Sequence, residues 1–171
     1  MEKKKGPSRR RFVALSGTGA MFLAGLGAKR ADAADLTAVE KTNLGVVEAY
    51  DKNMSDPHAT LEEKFARMKE TCVDDLLYGQ NNGNRFHGLP EVQKYYEGIF
   101  KGPDGGAKGL RTLEYQYSEV IVHGPVVMEY GLHFITPPGG PRPPATNFHC
   151  VVYFLRDGKI VERYDNSIRN R

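Results

Sequence analysis

Apolar residues recur with helical spacing in three segments of the first part of the chain. Residues 35–54 carry them at intervals of three or four, which predicts a first helix. Thr60 followed by Glu63 is a capping-box pattern, because the hydroxyl and the carboxylate satisfy free amide groups at a helix start, and it predicts a second helix. Val73–Tyr78 predicts a short strand, and Pro90 at a first helical position predicts the start of a third helix.

From Leu110 onward the spacing changes to the alternation that is typical of half-buried strands. Leu113, Tyr115 and Tyr117 alternate with polar residues, and Asp157-Gly158 lies between two runs rich in Val, Ile, Phe and Tyr, which predicts a β-hairpin. Three further strands are predicted over 126–135, 147–155 and 159–166, and loops over 79–88, 101–109 and 137–144. The pattern predicts an α+β fold, with three N-terminal helices on one face of a curved, mainly antiparallel sheet.

The register of the last hairpin decides which side chains face Asp165. A two-residue turn at Asp157-Gly158 places Cys150 opposite Asp165, with Arg163 on the same face. A β-bulge in either strand would instead bring His149 beside Asp165. Both registers are compatible with the sequence.

Asp165 is a carboxylate near the end of an otherwise strand-like run. If it is buried, it must find a donor or take a proton. Arg163 could hold it ionised, whereas desolvation without such a partner would raise its pKa and suit it to general acid/base catalysis. The alternative is a solvent-exposed residue at a fraying strand end.

The first 33 residues differ in composition from the rest. They hold eight basic and two acidic residues, and an apolar run at 12–28 precedes the small-x-small sequence Ala31-Asp32-Ala33. Ser8-Arg9-Arg10-Arg11-Phe12-Val13 resembles a twin-arginine signal. We therefore expect an export signal over 1–33, cleavage after Ala33, and a single periplasmic or secreted domain over 34–171; an uncleaved membrane anchor is the alternative.

Composition narrows the partners of that domain. Residues 34–171 hold 16 basic and 19 acidic residues, a net charge of −3, so no basic face favours nucleic acid or anionic lipid. Cys72 and Cys150 are the two cysteines; they could pair in an oxidising compartment, but two buried free thiols are the preferred interpretation.

Common catalytic motifs are missing from the sequence. It contains no Gly-rich phosphate loop, CxxC pair, HExxH or GxSxG. The five histidines are scattered without metal-ligand spacing, so no metal is expected unless strands bring His133 and His149 together. No cofactor is expected either. An even-sum strand pairing would place those two histidines on one face.

The order of these elements resembles the NTF2-like superfamily, and within it the SnoaL-like polyketide cyclase and limonene-epoxide hydrolase group. The resemblance covers 36–168 and rests on the helix pair before Val73–Tyr78, on His87-Gly88, on the Pro90 helix ending at Phe100, and on the hairpin FLRDGKIVERYD. It implies a cone-shaped fold that encloses a deep apolar pocket. Some members use the pocket for cofactor-independent acid/base chemistry, and others only bind ligands or dimerise.

The resemblance also implies roles for particular residues. Asp165 matches the last-strand aspartate that is the acid/base of SnoaL-like cyclases and the water-activating base of limonene-epoxide hydrolase. Tyr78-Gly79-Gln80 resembles the hydrolase Tyr-x-Asn, with Gln in place of Asn, and Gln80 falls where ketosteroid isomerases carry their base aspartate. The hydrolase Arg-x-Asp is absent from 127–133, where His133 or His149 could replace the lost partner.

We therefore expect an exported, cofactor-independent lyase or isomerase that acts on a hydrophobic, ring-bearing small molecule. Asp165, His149 and His133 are the predicted catalytic residues. Four residues are expected to bind the substrate: Tyr78, Gln80, Tyr117 and Tyr130. A non-catalytic binding or dimerisation module of the same fold and an epoxide-hydrolase-like water addition are the alternatives, and a homodimer is the expected assembly.

Overall fold

Three helices and seven strands make up the described part of the chain, which covers residues 12–13, 36–143 and 147–169 of the computed structural model. The helices are α1 (Ala38–Ser55), α2 (Leu61–Thr71) and α3 (Leu89–Lys101). The strands are β1 (Phe12–Val13), β2 (Cys72–Gln80), β3 (Arg85–His87), β4 (Thr112–His123), β5 (Val126–Thr136), β6 (Asn147–Arg156) and β7 (Lys159–Arg169). The predicted α+β class and its three helices are confirmed.

The predicted export signal over 1–33 lies outside the described residues, apart from β1, which pairs with β4. Among the helices that the structure describes, none is both long and apolar enough to span a bilayer.

The strands form one mixed, curved sheet in the order β1-β4-β5-β6-β7-β2-β3. Neighbouring strands are antiparallel except for β2 and β7, which run parallel. The helices cover one face, and the hydrophobic core lies between them and that face, which we call the inner face. The order places the C-terminal strand β7 at the middle of the inner face, between β6 and β2.

Capping boxes begin the first two helices. The predicted box at Thr60 and Glu63 is confirmed, with the amide of Glu63 donating to Thr60 Oγ1 at 3.2 Å. A second box, at Thr37 and Glu40, starts α1 three residues later than predicted. The two helices start in the same way: a hydroxyl and a carboxylate accept hydrogen bonds from amide groups that have no partner within the helix.

Lys64 fastens α2 to the end of α1. Its side chain is buried, and Nζ donates to the carbonyl oxygens of Asn53, Met54 and Asp56 at 3.0, 3.1 and 2.5 Å. Those carbonyls lie at the C-terminal end of α1, where backbone acceptors lack helical partners and the helix dipole favours a cation. A buried ammonium therefore fixes the angle at which the chain turns between the two helices.

The predicted loop over 79–88 is wrong in part, because it contains β3. Phe86 pairs with Tyr78 of β2, and the two strands are joined by a turn in which Gly83 has a φ of 91°. Three residues are too few to show alternation in the sequence, so the pairing is decided by the neighbouring strand.

The two-residue turn at Asp157-Gly158 is confirmed, but the first of the two predicted registers is wrong. A bulge lies between Phe154 and Leu155, so Asp165 pairs with Val151 and Cys150 pairs with Asn166. The extra residue moves the inner-face side chains by one position. This is the alternative that brings His149 towards Asp165.

A second bulge, in β4 between Tyr117 and Glu119, requires a glycine in β5. A Cβ on Gly131 would lie 2.1 Å from the carbonyl oxygen of Gln116, which no side chain can tolerate. Gly131 pairs with His149. The inner face therefore carries no side chain directly beside that histidine on β5.

The two cysteines are free thiols, as predicted, but only one of them is buried. Cys72 is buried in the core at the start of β2, whereas Cys150 is half-buried on β6. Burial raises the pKa of the Cys72 thiol to about 12, which makes it an inert core residue.

Candidate functional site

His149 and Asp165 meet on the inner face. Their side chains project from β6 and β7, and Nε2 of His149 lies 2.7 Å from Oδ1 of Asp165. His149 is fully buried and Asp165 is only 12% exposed. The contact is short but lacks the alignment of a linear hydrogen bond. We call the two residues the His–Asp pair.

Three further groups hold the Asp165 carboxylate. Tyr78 Oη and Ser167 Oγ donate to it at 3.1 Å each, and a guanidinium nitrogen of Arg163 lies 3.5 Å away. Burial alone would raise the pKa of Asp165, but the contact with His149 and the charge on Arg163 outweigh it and hold that pKa well below its ordinary value. Asp165 is therefore a carboxylate at neutral pH.

Arg163 is the largest fully buried side chain, and tyrosines surround it. Its guanidinium carbon lies 4.9 Å from the ring centroid of Tyr78 and between 5.6 and 5.8 Å from those of Tyr50, Tyr96 and Tyr153. It also donates a hydrogen bond to the Tyr96 hydroxyl. Aromatic faces attract a cation, so the rings offset part of the cost of burying the charge. We call Arg163 and these four rings the arginine cage.

His133 extends the site from β5. Its ring lies 4.9 Å from that of His149, and the ring of Tyr115 stacks against both, at 5.0 and 5.7 Å. Burial, with a smaller contribution from the neighbouring His149, lowers the pKa of His133 to about 4, so His133 is neutral at pH 7. The expectation that both histidines share a face is confirmed.

Two ring nitrogens in this group have no protein partner. Nδ1 of His149 and Nε2 of His133 are buried and make no hydrogen bond within the described part of the chain. Asp165 favours the tautomer of His149 that carries its proton on Nε2, which leaves a lone pair on Nδ1. The site thus presents a proton acceptor that is held by a carboxylate and is otherwise unused.

Gln80 and Tyr95 support the Tyr78 hydroxyl. Gln80 Nε2 donates to Tyr78 Oη at 3.2 Å and also to the Tyr95 hydroxyl. Tyr78 in turn donates to Asp165. A chain of hydrogen bonds therefore leads from β2 and α3 to the His–Asp pair. It places Tyr78 and Gln80 beside Asp165, and their role in substrate binding stays a prediction.

The two tyrosines that were predicted to line the pocket lie on opposite faces. Tyr117 stacks on Tyr115 at 5.7 Å on the inner face, and its hydroxyl is buried. Tyr130 is 40% exposed and stacks on Phe148 at 5.6 Å, outside the core. The placement of Tyr130 was wrong because it is three residues from His133, and odd spacing along a strand reverses the face.

Several inner residues were missed by the sequence analysis. Asp51 and Glu129 are buried acids that face the arginine cage. Asp51 follows Val47 by four residues on the apolar stripe of α1, and Glu129 has the same parity along β5 as His133. Those spacings were the features of the sequence that could have predicted the two acids. No such feature marked the cage tyrosines on α1 and α3, because aromatic residues on the apolar side of a helix are most often ordinary core residues.

Metal binding has no geometric support in the described residues. No group of three or more His, Cys, Asp or Glu side chains there is arranged to hold an ion. His133 and His149 do meet, but their contacts are with rings and with one carboxylate. A surface cleft between α1 and α2 includes Lys52 and Arg67 in its wall and none of the predicted site residues.

We expect His133 to make folding sensitive to mild acid. Its pKa of about 4 in the folded state lies below the ordinary 6.5, so its contribution to stability is full above pH 6.5 and is lost as pH falls towards 4. The loss is about 3 kcal/mol by linkage. His149, Asp165 and Arg163 face this ring and also shape the profile. Urea unfolding from pH 7 to pH 4 should show a shallower decline for His133→Phe than for wild type.

The exposed His87 provides the control, because His87→Gln should leave the decline unchanged. An equally steep decline in His133→Phe would contradict the neutral, buried state of His133.

No protein-family model and no curated protein matches the chain. Solved structures do match it. One is a protein from Jannaschia sp. CCS1 that is described as a SnoaL-like polyketide cyclase. It matches with a TM-score of 0.60 and 16% identity, and the match covers 78% of this chain and 90% of that protein. An LEH-like epoxide hydrolase of M. tuberculosis has a TM-score of 0.56 and 18% identity, covering 75% and 84%.

A protein described as a ketosteroid isomerase, from Kribbella flavida, has a TM-score of 0.54 and 14% identity, covering 77% of this chain and 81% of its own. Identities this low establish shared architecture and leave activity open. Three helices on a curved, unclosed mixed sheet, together with these neighbours, show that the chain has the NTF2-like fold of the SnoaL-like cyclases, ketosteroid isomerases and LEH-like epoxide hydrolases.

Proposed function

We propose that the protein is a cofactor-independent acid/base enzyme, of the lyase or isomerase type, that acts on a hydrophobic, ring-bearing small molecule. The observation that carries the proposal is the His–Asp pair, with its 2.7 Å contact and an unpartnered Nδ1 inside an aromatic interior. Structural neighbours that are described as cyclase, isomerase and epoxide hydrolase support acid/base chemistry as the class.

In the proposed mechanism His149 carries the proton. Nδ1 takes it from an activated carbon of the substrate, and the Asp165 carboxylate stabilises the imidazolium that forms. His149 then returns the proton to another atom of the same molecule, which completes an isomerisation, or to a departing oxygen, which completes an elimination. The lowered pKa of Asp165 favours a positioning role for it over the sequence-based prediction that Asp165 is itself the base.

The neutral His133 is proposed to contact the substrate oxygen. Its ring lies 4.9 Å from His149, and its Nε2 is buried without a partner in the described part of the chain. A neutral imidazole can donate a hydrogen bond to a carbonyl oxygen as negative charge develops there. The epoxide-hydrolase alternative lacks the Arg-x-Asp of that group, because Glu129, Gly131 and His133 are the inward residues of β5.

Hydrogen–deuterium exchange tests the proton-transfer step without knowledge of the natural substrate. We expect the wild-type domain to accelerate exchange of the α-hydrogens of 2-tetralone, a ring ketone, in D₂O as followed by proton NMR. His149→Gln should lower the rate about 10²- to 10⁴-fold, the usual contribution of a general base. Asp165→Asn should lower it and shift its pH profile, because the imidazolium loses its partner.

The matched control is Asp75→Asn, an exposed acid on β2, which should exchange at the wild-type rate. Full activity in His149→Gln would refute the proposed base. Binding of the ketone without any exchange in wild type would favour the non-catalytic binding module.

We also propose that the protein is exported through its first 33 residues. Arg9 and Arg10, with Ser8 before them and a small-x-small site ending at Ala33, support this proposal. In a bacterial host with a twin-arginine pathway, the processed protein should begin at Ala34 by N-terminal sequencing. Arg9→Lys with Arg10→Lys should retain the precursor in the cytoplasm, and equal processing of this variant would contradict the proposal.

Homodimerisation through the outer sheet face is proposed as the assembly. Tyr130, Phe148 and Phe154 are 36 to 40% exposed there, on neighbouring strands. Exposed apolar patches of this kind are typical of protein interfaces. Light scattering should give twice the monomer mass for wild type, and Phe148→Arg should give the monomer. Val39→Arg, at an exposed apolar residue on α1, is the control, and a monomeric wild type would contradict the proposal.

A further inference from the structure

A second group of titratable side chains lies inside the fold and takes no part in the proposed proton transfer. Glu129 on β5 is fully buried and Asp51 on α1 is 8% exposed. Tyr153 Oη donates to Asp51 Oδ1 at 3.1 Å, and Tyr117 lies against both carboxyl groups. We call Asp51 and Glu129 the carboxyl pair.

Most oxygens of this group are unsatisfied. Asp51 Oδ2, both carboxyl oxygens of Glu129 and Tyr117 Oη are buried and make no aligned hydrogen bond among the described residues. The three side chains are nevertheless close enough to change one another's pKa. Buried polar atoms are almost always hydrogen-bonded in folded proteins. Four such atoms that face one another therefore point to a ligand-binding position.

The charge balance of the interior decides the protonation of the pair. Arg163 lies near both carboxyl groups, but its ion pair is with Asp165, and no lysine or arginine forms an ion pair with Asp51 or Glu129 in the part of the chain that the structure describes. Two adjacent buried carboxylates cannot both stay ionised without a cation, as in other carboxyl dyads. Burial raises the pKa of both acids. The charge of Asp51 and its hydrogen bond raise the pKa of Glu129 further, whereas the same contact lowers the pKa of Asp51, so the proton belongs to Glu129 and is shared with Asp51.

The carboxyl pair and the His–Asp pair lie at two positions along one inner surface. Glu129 precedes His133 by four residues on β5, a separation of about 13 Å along a strand. Between them Gly131 carries no side chain, and the stacked rings of Tyr115 and Tyr117 line β4. Tyr115 contacts His133, and Tyr117 contacts the carboxyl pair. A flat ligand lying on these rings would reach both groups.

We propose that Asp51 and Glu129 hold one proton between them and bind a hydroxyl group of the ligand, at the end of the inner surface away from His149. A pair with a single proton offers one donor and several acceptor oxygens, which suits a hydroxyl, because a hydroxyl both donates and accepts. The ligand class is then a planar ring compound with oxygen functions at opposite ends. This inference rests on the proposed function for the end that His149 occupies.

Two probes that share one ring system and differ by a single methyl group test the hydroxyl preference. Naphthalene-2,6-diol can donate at both ends, whereas 6-methoxy-2-naphthol can donate at one end only. We expect wild type to bind the diol about tenfold more tightly by isothermal titration, the usual value of a hydrogen bond to a charged group. Glu129→Leu should reduce the preference to none, because leucine neither donates nor accepts a hydrogen bond and the carboxyl pair is lost.

The control Asp75→Asn should keep the full preference. Equal binding of the two probes to wild type, or an unchanged preference in Glu129→Leu, would overturn the proposal.

Infrared difference spectroscopy tests the shared proton in a second variant that keeps the shape of the site. The difference spectrum is obtained by subtracting the spectrum of the double variant Asp51→Asn, Glu129→Gln from that of wild type. At pH 7 it should show the carbonyl stretch of a protonated carboxylic acid. Absence of that band would overturn the shared proton. Failure of the two proposals can be told apart, because exchange of 2-tetralone reports on His149 and the probe preference reports on the carboxyl pair.

Discussion

The structure is built around the buried guanidinium of Arg163. Desolvating it is costly, and the fold offsets that cost with the Asp165 carboxylate at 3.5 Å, a hydrogen bond to Tyr96 and four aromatic faces. These groups come from α1, α3, β2, β6 and β7. Placing the charge correctly therefore requires that all of these elements pack together, so the same interaction that stabilises the centre also positions the candidate site.

The Arg163 guanidinium also separates the interior acids into two kinds. Asp165 receives the charge of Arg163 and stays ionised, which suits it to hold His149 in the proposed mechanism. Asp51 and Glu129 receive only the weaker, longer-range effect of the same charge, and burial raises the pKa of each. The difference arises from the partners of each acid rather than from residue type, because Asp165 contacts both His149 and Arg163, whereas Asp51 and Glu129 form no ion pair among the described residues.

Local signals predicted much of the fold. The Thr60 capping box, the Pro90 helix start and the Asp157-Gly158 turn were all found where their chemistry demands them, because each depends on residues within a few positions. The site was predicted less well. His149 beside Asp165 was one of two registers, Tyr130 was placed on the wrong face, and the carboxyl pair was missed.

The sequence by itself determined the α+β class, the starts of the second and third helices, the final turn and the presence of an acid in the last strand. The tertiary structure decided what that acid does. A bulge at Phe154–Leu155 shifts the hairpin by one residue and brings His149 to Asp165. Helices far away in sequence supply two of the four tyrosines that surround Arg163. Register and cage both depend on contacts between distant segments, and a side-chain period of two turns a one-residue shift into a change of face.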